Sequence, residues 1–455
     1  MVSTSYIVAS TIAIPLLGKL SDLYGRRLIF QTAMGIFAVA SLLCGLSQSM
    51  GQLIAARALQ GLGGGAIQAL AFAILGDVIS ARERGRYIGY FTMAFASSAF
   101  LGPLLGGVII QRWSWPWIFY INVPLCLVAM VVTHRALRLP FPKRRSTIDW
   151  AGAGLLVAML GALMLGLEQG RAGILNPRTA ALVGVAAALA LVFVAIERRA
   201  VDPILPPRMF SNRVVLSCAL MGFCAGGVAF GAAQFLSVYF QDALFISPTQ
   251  AGFRSLPIML TVVVSSTMAG RLIAKTGRYR LFPIVGSFLA AVGSFGISRV
   301  TAGTPYWALV LPLAALGLGS GGVFTTSSIA TQNACELRDM GVATATIMFF
   351  RNLGGSVVAA VSGTILNTTI RSSVPKRVPI TAEQAVKLVR KPSEIRALPA
   401  ETSRAIVDAV SRGTGRIYLF AGVLYLVALF WAWFMPELPL RRVAGINEQS
   451  VLESL

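Results

Sequence analysis

Long apolar segments alternate with short polar or charged breaks along almost the whole chain. About 13 such segments are present, most close to the roughly 20 residues that a helix needs to cross a bilayer. They lack the strict alternation of a barrel strand, so they predict membrane-spanning helices. The predicted spans are 2–18, 29–48, 52–76, 87–110, 117–134, 149–168, 179–197, 213–240, 250–272, 281–300, 306–330, 341–366 and 416–435.

Composition supports the same class of protein. Of the 455 residues, 56% are hydrophobic and only 12% are charged, whereas soluble domains carry about 25% charged residues. A soluble chain of this size could not bury so much apolar surface. The sequence therefore predicts an all-α, multi-pass membrane protein.

Basic residues then orient the spans. The 39 Lys and Arg exceed the 17 Asp and Glu, giving a formal charge of +22, which in a soluble protein would suggest nucleic acid. Cytoplasmic loops of membrane proteins account for it better, so no nucleic-acid partner is expected. With Gly18–Arg27 on the cytoplasmic side, 22 basic residues fall in cytoplasmic segments and 4 in short outer loops. This predicts a cytoplasmic (inner) membrane protein with a cytoplasmic C-terminus.

An internal repeat divides the chain. Gly18–Arg26 matches Gly270–Arg278, and Gly61–Gly65 matches Gly317–Gly321, with Arg82–Gly85 and Arg338–Gly341 as a third matching pair. Three matches in order predict two homologous, parallel halves, one of the known plans for transporters. The predicted regions are an N-terminal lobe at 1–140, a two-helix insert at 141–212, a C-terminal lobe at 213–440 with a long outer loop at 367–415, and a cytoplasmic tail at 441–455.

That outer loop contains several prolines and ten basic residues between 367 and 416. Segments 382–391 and 400–411 could form short amphipathic helices. The loop is expected either to lie on lipid headgroups or gate the outer mouth, or to be an ordinary solvated loop.

Several motifs now carry a family resemblance. Gly18–Arg27 resembles the loop between the second and third helices of the major facilitator superfamily, and Leu53–Gly65 resembles its fourth-helix motif. Gly102–Gly107 resembles the fifth-helix motif of its exporters. Trp113–Pro124 and Phe350–Gly355 look like the fourteen-helix drug:proton antiporter branch.

The resemblance implies a fold and a function. The fold would have two pseudo-symmetric helical lobes plus two central extra helices. The function would be export of amphipathic drugs or toxic compounds by proton antiport through alternating access, with the proton gradient as energy source and no cofactor. Because the loop motif begins at position 18, we expect no counterpart of the family's first helix among these residues, and none of them is assigned the proton-coupling Asp typical of that helix.

The loop motif supplies the first candidate site. Its members Gly18, Asp22, Gly25, Arg26 and Arg27 are expected to form a cytoplasmic gate. The glycines permit a tight turn, and Asp22 can pair with an Arg or cap a helix. The resemblance implies a latch that closes against the C-terminal half. The alternative is a plain positive-inside anchor.

Charges inside spans supply the second set. Arg57 is costly in a membrane and is a functional candidate, with Gln60 on the same helix face; snorkelling to the outer surface is its alternative. Arg351 lies deeper and is either a coupling or substrate residue or is paired with backbone carbonyls. In the exporter motif, Gly102, Pro103, Gly106 and Gly107 are expected to act as a hinge or seal.

Other function classes remain to be weighed. The carboxylates Asp77, Asp149, Glu168, Glu197 and Asp242 all fall near span ends, so the proton-coupling group is unassigned. This leaves open the export of an endogenous lipid, siderophore or metabolite, and the partial family pattern leaves open a transport-inactive scaffold or sensor. An enzyme is not expected, because no catalytic, metal-binding or nucleotide-binding constellation appears. Expected partners are small amphipathic substrates, protons and the lipid bilayer, with a periplasmic adaptor left open.

Overall fold

Helices make up nearly all of the ordered structure. The computed structural model describes residues 2–79, 81–137, 149–170, 177–200, 203–336, 339–389 and 392–440. The first half and the central insert consist of α1 (Val2–Tyr24), α2 (Arg26–Leu46), α3 (Met50–Val78), α4 (Ala81–Arg112), α5 (Trp117–Tyr120), α6 (Asn122–Ala136), α7 (Trp150–Gly170) and α8 (Pro177–Glu197).

The second half begins with a helix that changes its winding. After α9 (Pro207–Phe210), α10 (Arg213–Gly226) runs into a π-helical segment, Gly227–Ala232, then α11 (Ala233–Val238) and a second π-helical segment, Tyr239–Ala243. The remaining helices are α12 (Pro248–Arg254), α13 (Leu256–Thr276), α14 (Leu281–Ile297), α15 (Tyr306–Ala334), α16 (Met340–Ser373), α17 (Ala382–Leu388), α18 (Pro392–Arg396) and α19 (Ala400–Phe434).

These helices confirm the predicted fold class. Within the described residues, eleven helical segments are long and apolar enough to cross a membrane. The shorter Leu281–Ile297 and the 32-residue α4 fill the two remaining predicted positions. Many large apolar side chains along these helices are exposed, such as Leu191 and Leu311, as expected for surfaces that face lipid.

The predicted outer loop is shorter than expected. α16 continues to Ser373 and α19 begins at Ala400, whereas the sequence predicted spans of 341–366 and 416–435. Hydropathy misses the start of α19 because its first four turns are amphipathic: Ala405, Ile406, Ala409 and Val410 are buried between charged residues. The predicted helix at 382–391 is present as α17, whereas 400–411 is the start of α19. The predicted boundary near 140 and the tail at 441–455 lie outside the described residues.

Close helix packing recurs in the two halves. α3 crosses α1 at glycines: a Cβ at Gly61 would collide with the carbonyl of Tyr6, and one at Gly65 with the carbonyl of Ser10. Only small residues let two helix backbones approach so closely, so Gly61 and Gly65 serve the packing of α3 on α1.

The second half repeats this contact at the positions given by the sequence repeat. A Cβ at Gly317 would collide with the carbonyl of Ile258, and one at Gly321 with the carbonyl of Val262. α15 thus crosses α13 as α3 crosses α1. The geometry supports two halves built on one plan.

Candidate functional site

A sharp break between α1 and α2 positions the loop motif. Gly25 has φ 97°, a conformation that side chains other than Gly adopt only with strain. The chain therefore turns between two helices within one residue, as the motif predicted. Arg26 then points inward and is 9% exposed, while Arg27 donates from Nη2 to the carbonyl of His134 at 2.8 Å at the end of α6.

Arg26 joins two carboxylates on different helices. Its Nη1 lies 2.5 Å from Asp22 Oδ1 on α1, and its Nε lies 2.7 Å from Asp77 Oδ2 at the end of α3. Nη1 also donates to Ser21 Oγ. We call Gly18–Arg27 together with Asp77 the latch. A buried guanidinium is stabilised by such paired, hydrogen-bonded carboxylates.

The latch packs against the second half of the molecule. A Cβ at Gly341, in the first turn of α16, would lie 2.7 Å from Asp22 Oδ2, and a Cβ at Gly18 would lie 2.6 Å from Ala345 Cβ. Asp22 Oδ2 has no hydrogen-bond partner among the described residues and faces the N-terminal end of α16, where the helix dipole favours negative charge. In the repeated motif, Ala274 occupies the position of Asp22.

Elsewhere, two hydrogen bonds between described residues link the two halves. Gln332 Nε2 donates to the carbonyl of Phe72 at 3.2 Å, and Asn352 Nδ2 donates to Gln68 Oε1 at 3.4 Å. Gln332 was not predicted as a functional residue, because it belongs to none of the sequence motifs. Its only signal is the polar run of α15 from Thr325 to Asn333, which is buried.

A cavity of about 300 Å³ lies between the halves. Phe72 and Ile88 line it from the first half, and residues of the π-helical segment Gly227–Ala232, α11, α13, α15 and α16 line it from the second. Most of the lining is apolar; the polar contributions come from Ser237, Ser255, Ser320, Ser328 and Arg351. We call this the central cavity. An apolar pocket with a few polar groups is the usual form of a small-molecule site.

Arg351 is the charged residue of the central cavity. It is 8% exposed, with its guanidinium 5.0 Å from the ring of Phe324 and 6.0 Å from that of Phe230. Its Nε has no hydrogen-bond partner among the described residues. The contacts of this guanidinium with described residues are with aromatic faces, and its role in coupling or substrate binding stays a prediction.

Arg57 and Gln60 occupy a different place. Arg57 Nη1 bonds to Gln60 Oε1 at 2.5 Å, and its guanidinium lies 4.4 Å from the ring centre of Tyr6. Gln60 is 1% exposed and donates to Ser41 at 2.7 Å. These residues hold α1, α2 and α3 together and are absent from the lining of the central cavity, so the structure separates them from Arg351.

The exporter motif lies on α4. A Cβ at Gly102 or Gly106 would meet no atom within 4 Å, so in this conformation neither glycine marks a close helix contact. Pro103 and Gly107 fall within the same continuous helix, of which only the backbone is described at those positions.

The described carboxylates near the span ends differ in their hydrogen-bond partners. Asp77 belongs to the latch, Asp149 accepts from the backbone of Gly152 at 2.8 Å, and Glu197 accepts from Ile204 and Leu205 at 3.2 and 3.0 Å. Asp242 differs from these, because it is 5% exposed and borders a second cavity. Its position near a span end is evident from the sequence, but its burial is not.

Sequence comparison gives close relatives among transporters. The chain is 34% identical over 447 residues to an uncharacterized MFS-type transporter of Mycobacterium tuberculosis (strain ATCC 25618 / H37Rv), covering 96% of this chain and 64% of that protein. It is 30% identical to Multidrug resistance protein 3 of Bacillus subtilis (strain 168), covering 99% of this chain and 90% of that protein. The chain thus spans less than two thirds of the mycobacterial relative.

Structural comparison agrees on the fold. The human organic anion transporter MFSD10 superposes with a TM-score of 0.63 at 17% identity, covering 95% of this chain and 82% of that one. The proton:xylose symporter XylE gives 0.61 at 14% identity, covering 98% and 87%. The family model described as Major Facilitator Superfamily matches residues 1–359. With latch, repeat and central cavity arranged as described, this chain belongs to the Major Facilitator Superfamily.

Proposed function

We propose that this protein is a secondary active exporter of amphipathic drugs or toxic compounds, driven by proton antiport across the cytoplasmic membrane. The observation that carries the proposal is the central cavity between two halves, with the latch drawn against α16 at one end. Alternating access requires such a cavity and a closure that can open. The multidrug and efflux relatives support the substrate class.

In this proposal the latch side is cytoplasmic and the structure is closed there. Arg26 holds Asp22 in place while it also bonds to Asp77, and Asp22 stabilises the closed state by its approach to the first turn of α16. Opening toward the cytoplasm separates Asp22 from that turn. The latch therefore sets the balance between the two states and does not bind the substrate.

Dye efflux tests both parts of the proposal. Cells that lack their own efflux pumps and express the protein should expel ethidium, and an uncoupler should stop it. Asp22→Asn should lower efflux at an unchanged protein level, because it weakens the closed latch. Asp408→Asn, an exposed residue paired with Arg377, is the control and should leave efflux unchanged. Normal efflux by Asp22→Asn at equal expression would contradict the role of the latch.

A second candidate function is export of an endogenous lipid, siderophore or metabolite. Arg351 favours it, because it is the one charged residue among the described residues that line the central cavity. A buried cation without a carboxylate partner stabilises a bound anion. Arg351→Gln should then reduce export of anionic fluorescein far more than export of ethidium, and Arg351→Lys should preserve the preference. Equal losses for both dyes would speak against this candidate.

A further inference from the structure

A buried carboxylate lies at the end of the molecule opposite the latch. Asp242 is in the π-helical segment Tyr239–Ala243, 29 residues beyond Arg213, which begins this helical span. α10 starts on the latch side, since neighbouring Asn212 donates to the carbonyl of Ala334, close to the start of α16. Asp242 is therefore on the far side, and it is 5% exposed.

This carboxylate has no partner among the described residues. No hydrogen bond or ion pair from the described part of the chain reaches it. This contrasts with Asp77, which holds Arg26, and with Asp149 and Glu197, which accept backbone N–H groups. A carboxylate that is removed from water is strongly destabilised in its ionised form unless it binds a cation or a proton.

Asp242 borders a cavity of about 530 Å³ with a polar wall. Gln234 and Gln241 contribute amides from the same helical span, and Asn367 contributes one from α16. Val386 of α17 and Val389, the residue that follows α17, form the side of the cavity toward the outer loop. We call this the far-side cavity. Its amides can bind water and pass hydrogen bonds toward the carboxylate.

The charged side chains at the end of α16, on α17 and on α18 do not face Asp242. Four of them line a separate cavity of about 840 Å³: Arg371, Glu383, Lys387 and Glu394. Arg396, on α18, is exposed. None of these side chains lines the far-side cavity.

The helices α12 and α19 also direct their charges elsewhere. On α12, the guanidinium of Arg254 lies 5.3 Å from the ring of Tyr306. On α19, Asp408 pairs with Arg377, Arg412 donates to the carbonyl of Asp408, and Arg416 donates to Thr369. The two other charged residues of this helix, Glu401 and Arg404, are exposed. None of the ion pairs between described residues includes Asp242.

The far-side cavity and the central cavity lie on two sides of one helical stretch. Leu236 and Ser237 face the central cavity, whereas Phe235 and Val238 face the far-side cavity. The stretch is enclosed by the two π-helical segments, a winding that is often found at functional sites. A proton on Asp242 is thus one helix away from the central cavity.

We propose that Asp242 is the group that binds the coupled proton, which it takes up from the far side through the far-side cavity. This inference rests on the proposed proton antiport and assigns the residue that the sequence left open. Protonation converts a buried, unpartnered carboxylate into a neutral acid and so removes the cost of its charge. When the proton leaves on the cytoplasmic side, the ionised form is destabilised again, which drives the return.

Proteoliposomes containing the full chain test the assignment. Two assays are compared: accumulation of ethidium driven by an imposed pH gradient, and ethidium exchange without a gradient. Asp242→Asn should lose the first and keep the second, since exchange needs no proton. Asp408→Asn is the matched control and should keep both, and Asp242→Glu should keep accumulation with a shifted pH profile. A sodium gradient should not replace the pH gradient.

Infrared spectroscopy of the purified protein tests proton binding without any substrate. The wild type should show the carbonyl band of a protonated carboxyl at a pH where exposed carboxyls are ionised, and Asp242→Asn should lack it. Three results would each overturn the assignment: accumulation by Asp242→Asn at the wild-type level, a carbonyl band that survives this change, or accumulation driven by a sodium gradient.

If the wild type neither accumulates nor exchanges dye, the proposed export fails, and the presence or absence of the band still decides whether Asp242 holds a proton. If Asp242→Asn aggregates, Asp242→Glu serves as the variant, and an unmoved band overturns the assignment.

Discussion

The glycine at position 341, which has no side chain, allows the two halves to approach closely at the latch. Its position in the first turn of α16 brings backbone N–H groups and the positive end of the helix toward Asp22. Any Cβ there would push against both Asp22 and Arg26. The close contact therefore depends on glycine at this position, just as the turn before Arg26 depends on Gly25.

Gly341→Ala should weaken the closed state. The added methyl group must displace a buried ion pair, and overpacking of this kind costs about 1–3 kcal/mol. We expect slower ethidium efflux and a lower thermal unfolding midpoint for the purified protein. Gly154→Ala, where a Cβ would meet no atom within 4 Å, is the control and should change neither. An unchanged midpoint and efflux rate for Gly341→Ala would mean that the contact is not maintained in the membrane.

At the scale of helices, glycines have two different roles that the sequence does not distinguish. Gly61 and Gly65 allow α3 to touch the backbone of α1, and their counterparts do the same between α15 and α13. Gly106, by contrast, has open space around its Cα. The first pair supports packing in this state, whereas Gly106 can matter only in a state where α4 has a closer neighbour.

Gly65→Val should destabilise the protein. The side chain would overlap the backbone of Ser10, which cannot move without shifting α1, and we expect a loss of about 1–3 kcal/mol. The thermal unfolding midpoint in detergent measures this. Gly184→Val, within α8 and without close neighbours, controls for the cost of valine in a helix. Similar midpoints for the two variants would contradict the close crossing of α1 and α3.

Gly106→Val should separate stability from transport. Because this conformation has space for the side chain, the unfolding midpoint and the amount of protein in the membrane should stay at the wild-type level. Efflux should stop if α4 must slide past a neighbour during the cycle, as proposed for the exporter motif. If Gly106→Val exports dye at the wild-type rate, this glycine does not act as a hinge or seal.

At the scale of the whole molecule, the arrangement of basic residues predicts which side faces the cytoplasm. The latch contacts the start of α16, and Asn333, close to that start, donates to the carbonyl of Pro439 just beyond α19. Tyr279 and Arg280, after α13, bond to the same end of α19, so these parts all lie on one side. The connection between α14 and α15 lies on the other side. The orientation of these sides in the membrane is a prediction from the positive-inside rule.

Cysteine labelling checks this orientation. Thr276 and Thr301 are both exposed threonines at opposite ends of the spans, and all five native cysteines are buried. In intact cells, a membrane-impermeant maleimide should label Thr301→Cys, whereas Thr276→Cys should react only after permeabilisation. The reverse pattern would invert the topology and place the latch outside.

The sequence by itself determined the spans, the repeat and the family, because hydropathy and glycine spacing are local properties that any fold must satisfy. It also placed the latch motif, since Gly25 and its neighbours form a turn within a few residues. Tertiary structure alone decided that Arg26 joins Asp77, 51 residues away, and that Arg351 enters the central cavity while Arg57 does not. It also showed that α19 begins at Ala400 and that Asp242 is buried with no bond to any described residue. These features depend on which helices pack together, and burial of a charge at a span end is a consequence of those contacts and not of the local pattern.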